Sequence, residues 1–131
     1  VKVLFDVNTL IAACCGNHTD NGRVLAWIAS LGAREILTCP ITELGFVRIT
    51  VATGLQRSIP EAIATLERWK SAAKAQFVKD DMPAKDLPEW VTSASKTTDA
   101  HLLSLAKSVG AQFATMDEGI KDKALFIPKR G

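Results

Sequence analysis

Long apolar runs are missing from this sequence. No stretch reaches the roughly 20 residues that a membrane helix needs. The opening run, Val1 to Phe5, is cut by Asp6 too soon for a signal peptide. With neither segment in view, the expected location is the cytoplasm; separately, the start at Val1 rather than Met leads us to expect a residue or more before it. Cysteine is scarce and odd in number: Cys14, Cys15 and Cys39 have no ligand-like spacing and offer no disulfide framework, which fits a reducing compartment. Only two histidines are present, His18 and His101, and neither stands in a zinc pattern with the cysteines. There is no tyrosine, no internal repeat and no low-complexity segment. Nor is there a strong charge of one sign. A formal net charge of +2 neither announces nor excludes a nucleic-acid partner.

What is present is enough apolar residue, 47% of 131, to build one real core, so a single domain over 1–131 is expected. Short β-branched runs alternate with helical spacing. Val1–Phe5 reads as a buried strand, followed by a helix over Asn8–Ala13. Asp20 or Asn21 caps a second helix, with Val24, Leu25, Ile28 and Leu31 facing inward and Gly32 closing it. Ile36–Cys39 is a strand. Pro40 suits the first turn of a helix running to about Thr53, whose inward stripe is Leu44, Val47 and Val51. A helix from Ile59-Pro60 to about Ala73 precedes a strand at Gln76–Val78. Lys79–Pro88 is a loop, and Trp90 starts a short turn or helix. Thr97-Thr98-Asp99 opens a helix through Val109 that Gly110 closes, then Ala111–Thr115 and Ala124–Ile127 are strands. This alternation predicts an α/β fold, three layers with a central parallel sheet of four to five strands.

In such folds the strand C-termini and the starts of the following helices share one edge, where ligands bind. Asp6 follows the first strand, Glu43 lies near the start of the helix after the second, and Asp117 follows the fourth. Asp99 opens the helix before the fourth strand and reaches that edge only if the long loop ahead of it folds back. Capping of orphan N–H groups accounts equally well for Asp6 or Asp117 taken alone. Glu43 is not a cap, because with Cys39 as N-cap the capping-box position is Thr42. Asp99 starts the face formed by Leu102, Leu103 and Ala106, an expensive place for a carboxylate without a partner; Thr97 or Thr98 is free to cap instead. Four acids with no matching Lys or Arg call for a cation, and an all-oxygen set suits Mg²⁺ or Mn²⁺ and phosphoryl chemistry. His18, in the loop near Asp6, is a candidate for touching substrate, whereas His101 packs or faces solvent.

The stretches Phe5–Leu10, Thr42-Glu43-Leu44 with Arg48 behind it, Thr98–Leu102 and Gly110–Asp117 resemble, in order and spacing, the PIN-domain ribonucleases. Within that family they are similar to the VapC toxins of prokaryotic toxin–antitoxin pairs, over nearly the whole chain. The resemblance implies a metal-dependent endoribonuclease. Asp6, Glu43, Asp99 and Asp117 would form its acidic quartet, with Asp6 and Asp99 as the principal Mg²⁺ ligands. Asn8 and Thr115 would hold the carboxylates by hydrogen bonds. It also implies a homodimer and a cognate antitoxin whose C-terminal segment occupies the groove leading to the acids. Phe46, Ile49, Trp69 and Trp90 are candidates for such surfaces, core packing being the alternative for each. Arg23, Arg48, Arg57 and the Lys121, Lys123, Lys129, Arg130 group are candidates for RNA phosphates, or a solvated basic face.

Other classes start from the same acids. A haloacid-dehalogenase-type phosphatase needs a second Asp where Asn8 stands. A receiver domain wants an acidic pair ahead of its phosphorylated Asp and a late Lys after a strand. A PIN-like nuclease of RNA processing, and a catalytically silent binding module, are the remaining alternatives.

Overall fold

A computed structural model describes residues 1–128, and at 121–123 the backbone alone. Five short strands, β1 (Lys2–Phe5), β2 (Glu35–Thr38), β3 (Gln76–Phe77), β4 (Gln112–Thr115) and β5 (Leu125–Phe126), form one sheet in the order β3-β2-β1-β4-β5. Every pairing is parallel. The five helices are α1 (Val7–Cys14), α2 (Asn21–Ser30), α3 (Pro40–Ala52), α4 (Ile59–Ala73) and α5 (Thr97–Ser108).

Side chains on a strand alternate between faces, and here both faces are apolar. Val3, Phe5, Ile36 and Ala114 join a core with Leu10, Ile11, Val24, Ile28, Phe46 and Leu66, which brings α1 to α4 onto one side. Leu4, Leu37 and Phe113 pack on the other side with Leu102, Leu103, Leu105 and Ala106 of α5. The result is the expected three-layer α/β/α arrangement. Cys14, Cys15 and Cys39 are free. Among the described residues no helix is long and apolar enough to cross a membrane.

Local punctuation explains the boundaries. Ser58 accepts the Glu61 N–H at 3.2 Å and Pro60 occupies the first turn, so α4 starts where the sequence predicts. Cys39 caps α3, and its N–H donates to the Thr42 hydroxyl at 3.1 Å. Three expectations need correction. The predicted stripe of α3 is rotated: Leu44 is 71% exposed, while Thr42, Gly45, Phe46 and Thr50 are buried. The cause is α1, because Gly45 lies against Val7 where a Cβ would stand 2.9 Å from a Val7 methyl. Leu25 is likewise exposed, while Val24 and Ile28 are buried and Trp27 and Leu31 pack partly buried beside them. Finally, α5 carries no side-chain cap; Lys96 holds the N-cap position and Thr97 and Thr98 lie inside the helix.

Candidate functional site

Strand order reverses between β1 and β4, and this switch point is where an open parallel sheet offers a crevice beyond its strand ends. Asp6 leaves β1 there and caps α1, Oδ1 accepting the Thr9 N–H at 2.8 Å. Its Oδ2 accepts the Thr115 hydroxyl of β4 at 2.6 Å. That hydroxyl also accepts the Asp117 N–H at 3.0 Å, so Thr115 ties the two strand ends together. Burial pushes the Asp6 carboxyl above its ordinary range, partly offset by the Thr115 and Thr9 hydrogen bonds and reinforced by the charge of Asp117.

Asp99 stands in the first turn of α5. The excursion between β3 and α5 does fold back and brings it to the same edge. Its carboxyl is pushed up to about 6, first by burial, then by the charges of Asp6 and Asp117, with Lys96 pulling it back. Asp117 goes the other way: the Lys96 ammonium, 2.6 Å from Oδ2, holds it below the usual carboxylate range, helped by the Gly119 N–H at 2.8 Å.

These three acids line one cleft of about 540 Å³, together with Asn8, His18, Met116 and a further acid, Asp20, which stands 3.8 Å from the Arg23 guanidinium on the same wall. His18 Nδ1 accepts the Asp20 N–H at 2.9 Å, which leaves the ring hydrogen of the neutral imidazole on Nε2. Asn8 is exposed on the wall, and among the described residues its amide makes no hydrogen bond to a carboxylate. Both Asp6 oxygens already have donors, from Thr9 and Thr115.

The fourth acid is held aside. Glu43 Oε2 accepts the Thr38 hydroxyl at 2.6 Å and pairs with the Lys70 ammonium at 2.9 Å. It does not line the cleft. The expectation of acids without matching cations is therefore wrong: Lys96 neutralises Asp117 and Lys70 neutralises Glu43. Lys70 gave no sequence signal, since it comes from the far end of α4. Lys96 gave one, three residues ahead of Asp99 across a helix start. Among the described residues no three His, Cys, Asp or Glu side chains stand close enough together, as they lie, to hold a metal ion. Two of the four acids instead hold a lysine, Asp117 with Lys96 and Glu43 with Lys70. The donor chemistry of Asp6, Asp99 and Asp117 nonetheless fits a hard divalent cation: the three carboxylates are all-oxygen donors, and the repulsion of Asp6 and Asp117 on Asp99 is what a cation would relieve.

The other predicted contacts fall elsewhere. Arg48 is exposed on α3 and lines a separate apolar groove with Val7, Leu44, Val51, Ile59 and Thr98. Arg23 is engaged by the carbonyls of Ile127 and Pro128, so it is not a free phosphate ligand. The side chains of Lys121, Lys123, Lys129 and Arg130 lie outside the described residues. His101 neither simply packs nor faces solvent. Its Nε2 lies 2.6 Å from Asp80 Oδ2, joining α5 to the loop after β3.

Comparison with known proteins agrees with this geometry. Residues 3–125 match the PIN domain. The chain is 32% identical to Ribonuclease VapC38 of Mycobacterium tuberculosis, across 96% of this chain and 92% of that protein. It is 34% identical to Ribonuclease VapC39 of the same organism, across 95% and 94%, and 31% identical to its Ribonuclease VapC44, across 92% and 89%. A match of that extent, on a fold with its acids gathered at the switch point, means that the chain belongs to the PIN-domain family, among its VapC members.

Proposed function

We propose that this protein is a metal-dependent endoribonuclease, the toxin of a VapBC-type pair, hydrolysing RNA phosphodiester bonds with Mg²⁺ or Mn²⁺. The observation that carries the reading is that Asp6, Asp99 and Asp117 share one open cleft, and that the carboxyl of Asp99 is pushed up to about 6 there. Asp6 and Asp99 would be the principal holders of the cation, with Asp117 beside them. When bound, such an ion activates water and stabilises charge on the phosphate. The chain's own part is positioning. Thr115 fixes the Asp6 carboxylate by a 2.6 Å hydrogen bond and, through the Asp117 N–H, sets the spacing of the two strand ends. His18 brings an Nε2–H donor to the same cleft, suited to a phosphate oxygen of the incoming strand. Glu43 completes the quartet in this reading only after leaving Lys70.

The named activity of the relatives supports RNA as substrate. A cognate antitoxin, a homodimer and a cytoplasmic location follow from the family resemblance. The test is cleavage of a defined RNA by purified protein with Mn²⁺, with EDTA, and in Asp6→Asn. Loss of at least about a hundredfold is expected in the variant, of the size seen when a group acting in the transition state is removed. Cleavage that persists in EDTA, or at the wild-type rate in Asp6→Asn, refutes the mechanism.

A further inference from the structure

One acid of the cleft, Asp117, already holds a cation. Lys96 sits at the N-cap of α5 and turns its ammonium back onto Asp117 Oδ2, 2.6 Å away. The place is prepared for it on the far side. Gly119 donates its N–H to the other Asp117 oxygen, and a Cβ on Gly119 would stand 2.9 Å from Lys96 Nζ and 3.1 Å from Asp117 Oδ1. The lysine comes from the turn that precedes α5, and Asp99 lies three residues beyond it in the first turn of the same helix. One short segment therefore delivers both an acid and its counter-charge to the acidic edge.

We propose that Lys96 is a resident counter-ion of the cleft, and that a divalent cation must displace it from Asp117 to bind. This rests on the reading that Asp6, Asp99 and Asp117 hold such a cation. With the cleft free of metal, Lys96 lowers the repulsion among the acids. With metal present, the same ammonium is a competitor, because a carboxylate oxygen that accepts a 2.6 Å charge-assisted hydrogen bond is not free to ligate. Lys96 is thus a positioning residue that sets how much cation is needed to arm the site, and its departure leaves a positive charge at the rim.

The test is calorimetric titration of Mn²⁺ into the full chain at pH 7.5, comparing wild type, Lys96→Gln, Lys96→Arg and Lys107→Gln. The last removes the same formal charge from an exposed site on α5 that does not line the acid cleft. Lys96→Gln should bind Mn²⁺ about tenfold tighter, a difference of about 1.4 kcal/mol. Lys96→Arg, which keeps the pair, should stay within about threefold of wild type, and Lys107→Gln should match wild type. In EDTA, Lys96→Gln should melt below wild type, while its Mn²⁺-induced rise in melting temperature should be larger. Equal or weaker binding by Lys96→Gln, or an equal gain in Lys107→Gln, overturns the proposal while leaving the cation site standing. If neither wild type nor Lys96→Gln takes up Mn²⁺, the cation reading itself falls, and this proposal with it.

Discussion

Replacing Asp99 by Asn removes one charge from the cleft and keeps the shape of the side chain. The carboxyl is pushed from 3.8 up to about 6 by burial and by Asp6 and Asp117. Two units at 1.36 kcal/mol each give roughly 3 kcal/mol against the ionised form. Asp99 is partly open to solvent, so screening reduces this to about 1–2 kcal/mol. Losing an acid from the first turn of α5 takes back about 0.3–1 kcal/mol. The net expectation for metal-free Asp99→Asn at pH 7.5 is a gain of about 1 kcal/mol, or 3–5 °C in melting temperature. The sign follows from proton binding. The folded protein holds this proton more tightly than the unfolded chain, so wild-type stability falls as pH rises from about 4 to 6 and is flat above. The advantage of the variant must therefore shrink toward zero at pH 4. Millimolar Mn²⁺ should raise the wild-type melting temperature and that of Asp99→Asn much less, and the variant should be inactive on RNA. Thermal melts in EDTA at the two pH values, and in Mn²⁺, decide it. If metal-free Asp99→Asn melts several degrees below wild type at pH 7.5, or differs equally at both pH values, Asp99 is a cap or a paired structural acid and the charge argument fails.

His101→Ala leaves the nearly buried Asp80 without its partner, and should cost about 1–3 kcal/mol and make the loop after β3 the first site of limited proteolysis; an unchanged digestion pattern would show that the pair does not hold the loop. Gly45→Ala puts a methyl 2.9 Å from Val7 on the α1–α3 contact, and a loss of about 1–3 kcal/mol in urea denaturation is expected. Wild-type stability in that variant would mean that Val7 yields without cost.

The layer order and most boundaries were legible because they depend on punctuation within a few residues. Ser58-Ile59-Pro60 starts α4, and Cys39-Pro40 starts α3, by bonds made inside the first turn. The inward face of α3 was not legible. Its buried positions are Thr42, Gly45 and Thr50 beside a single Phe46, and apolar spacing does not reveal a face made of small and hydroxyl residues. Thr50 is tolerated there because its hydroxyl donates to the Phe46 carbonyl at 2.7 Å. The positions of Asp6 and Asp117 could be read from strand ends, and that of Asp99 from its helix start once the long loop ahead of it folds back. Their partners could not, because Lys70–Glu43, Lys96–Asp117 and His101–Asp80 join separate elements of the chain. No local pattern encodes which cation crosses to which acid.

The central place of β1 has a consequence for the order in which the molecule is made. Its Val3 pairs with Ile36 on one side and with Gln112 on the other, and the Thr115–Asp6 bond spans 109 residues of sequence. Contacts so distant carry a large loop-closure cost and tend to form late and slowly. During vectorial synthesis, which runs at about 5–20 residues per second, the first strand must wait several seconds for β4 to emerge. Until then neither Thr115 nor Asp117 exists to meet Asp6. A nascent chain ending before residue 112 thus holds Asp6 and Asp99 without Thr115 or Asp117, and any chemistry that needs all three acids waits until residue 117, two beyond the end of β4, has been added.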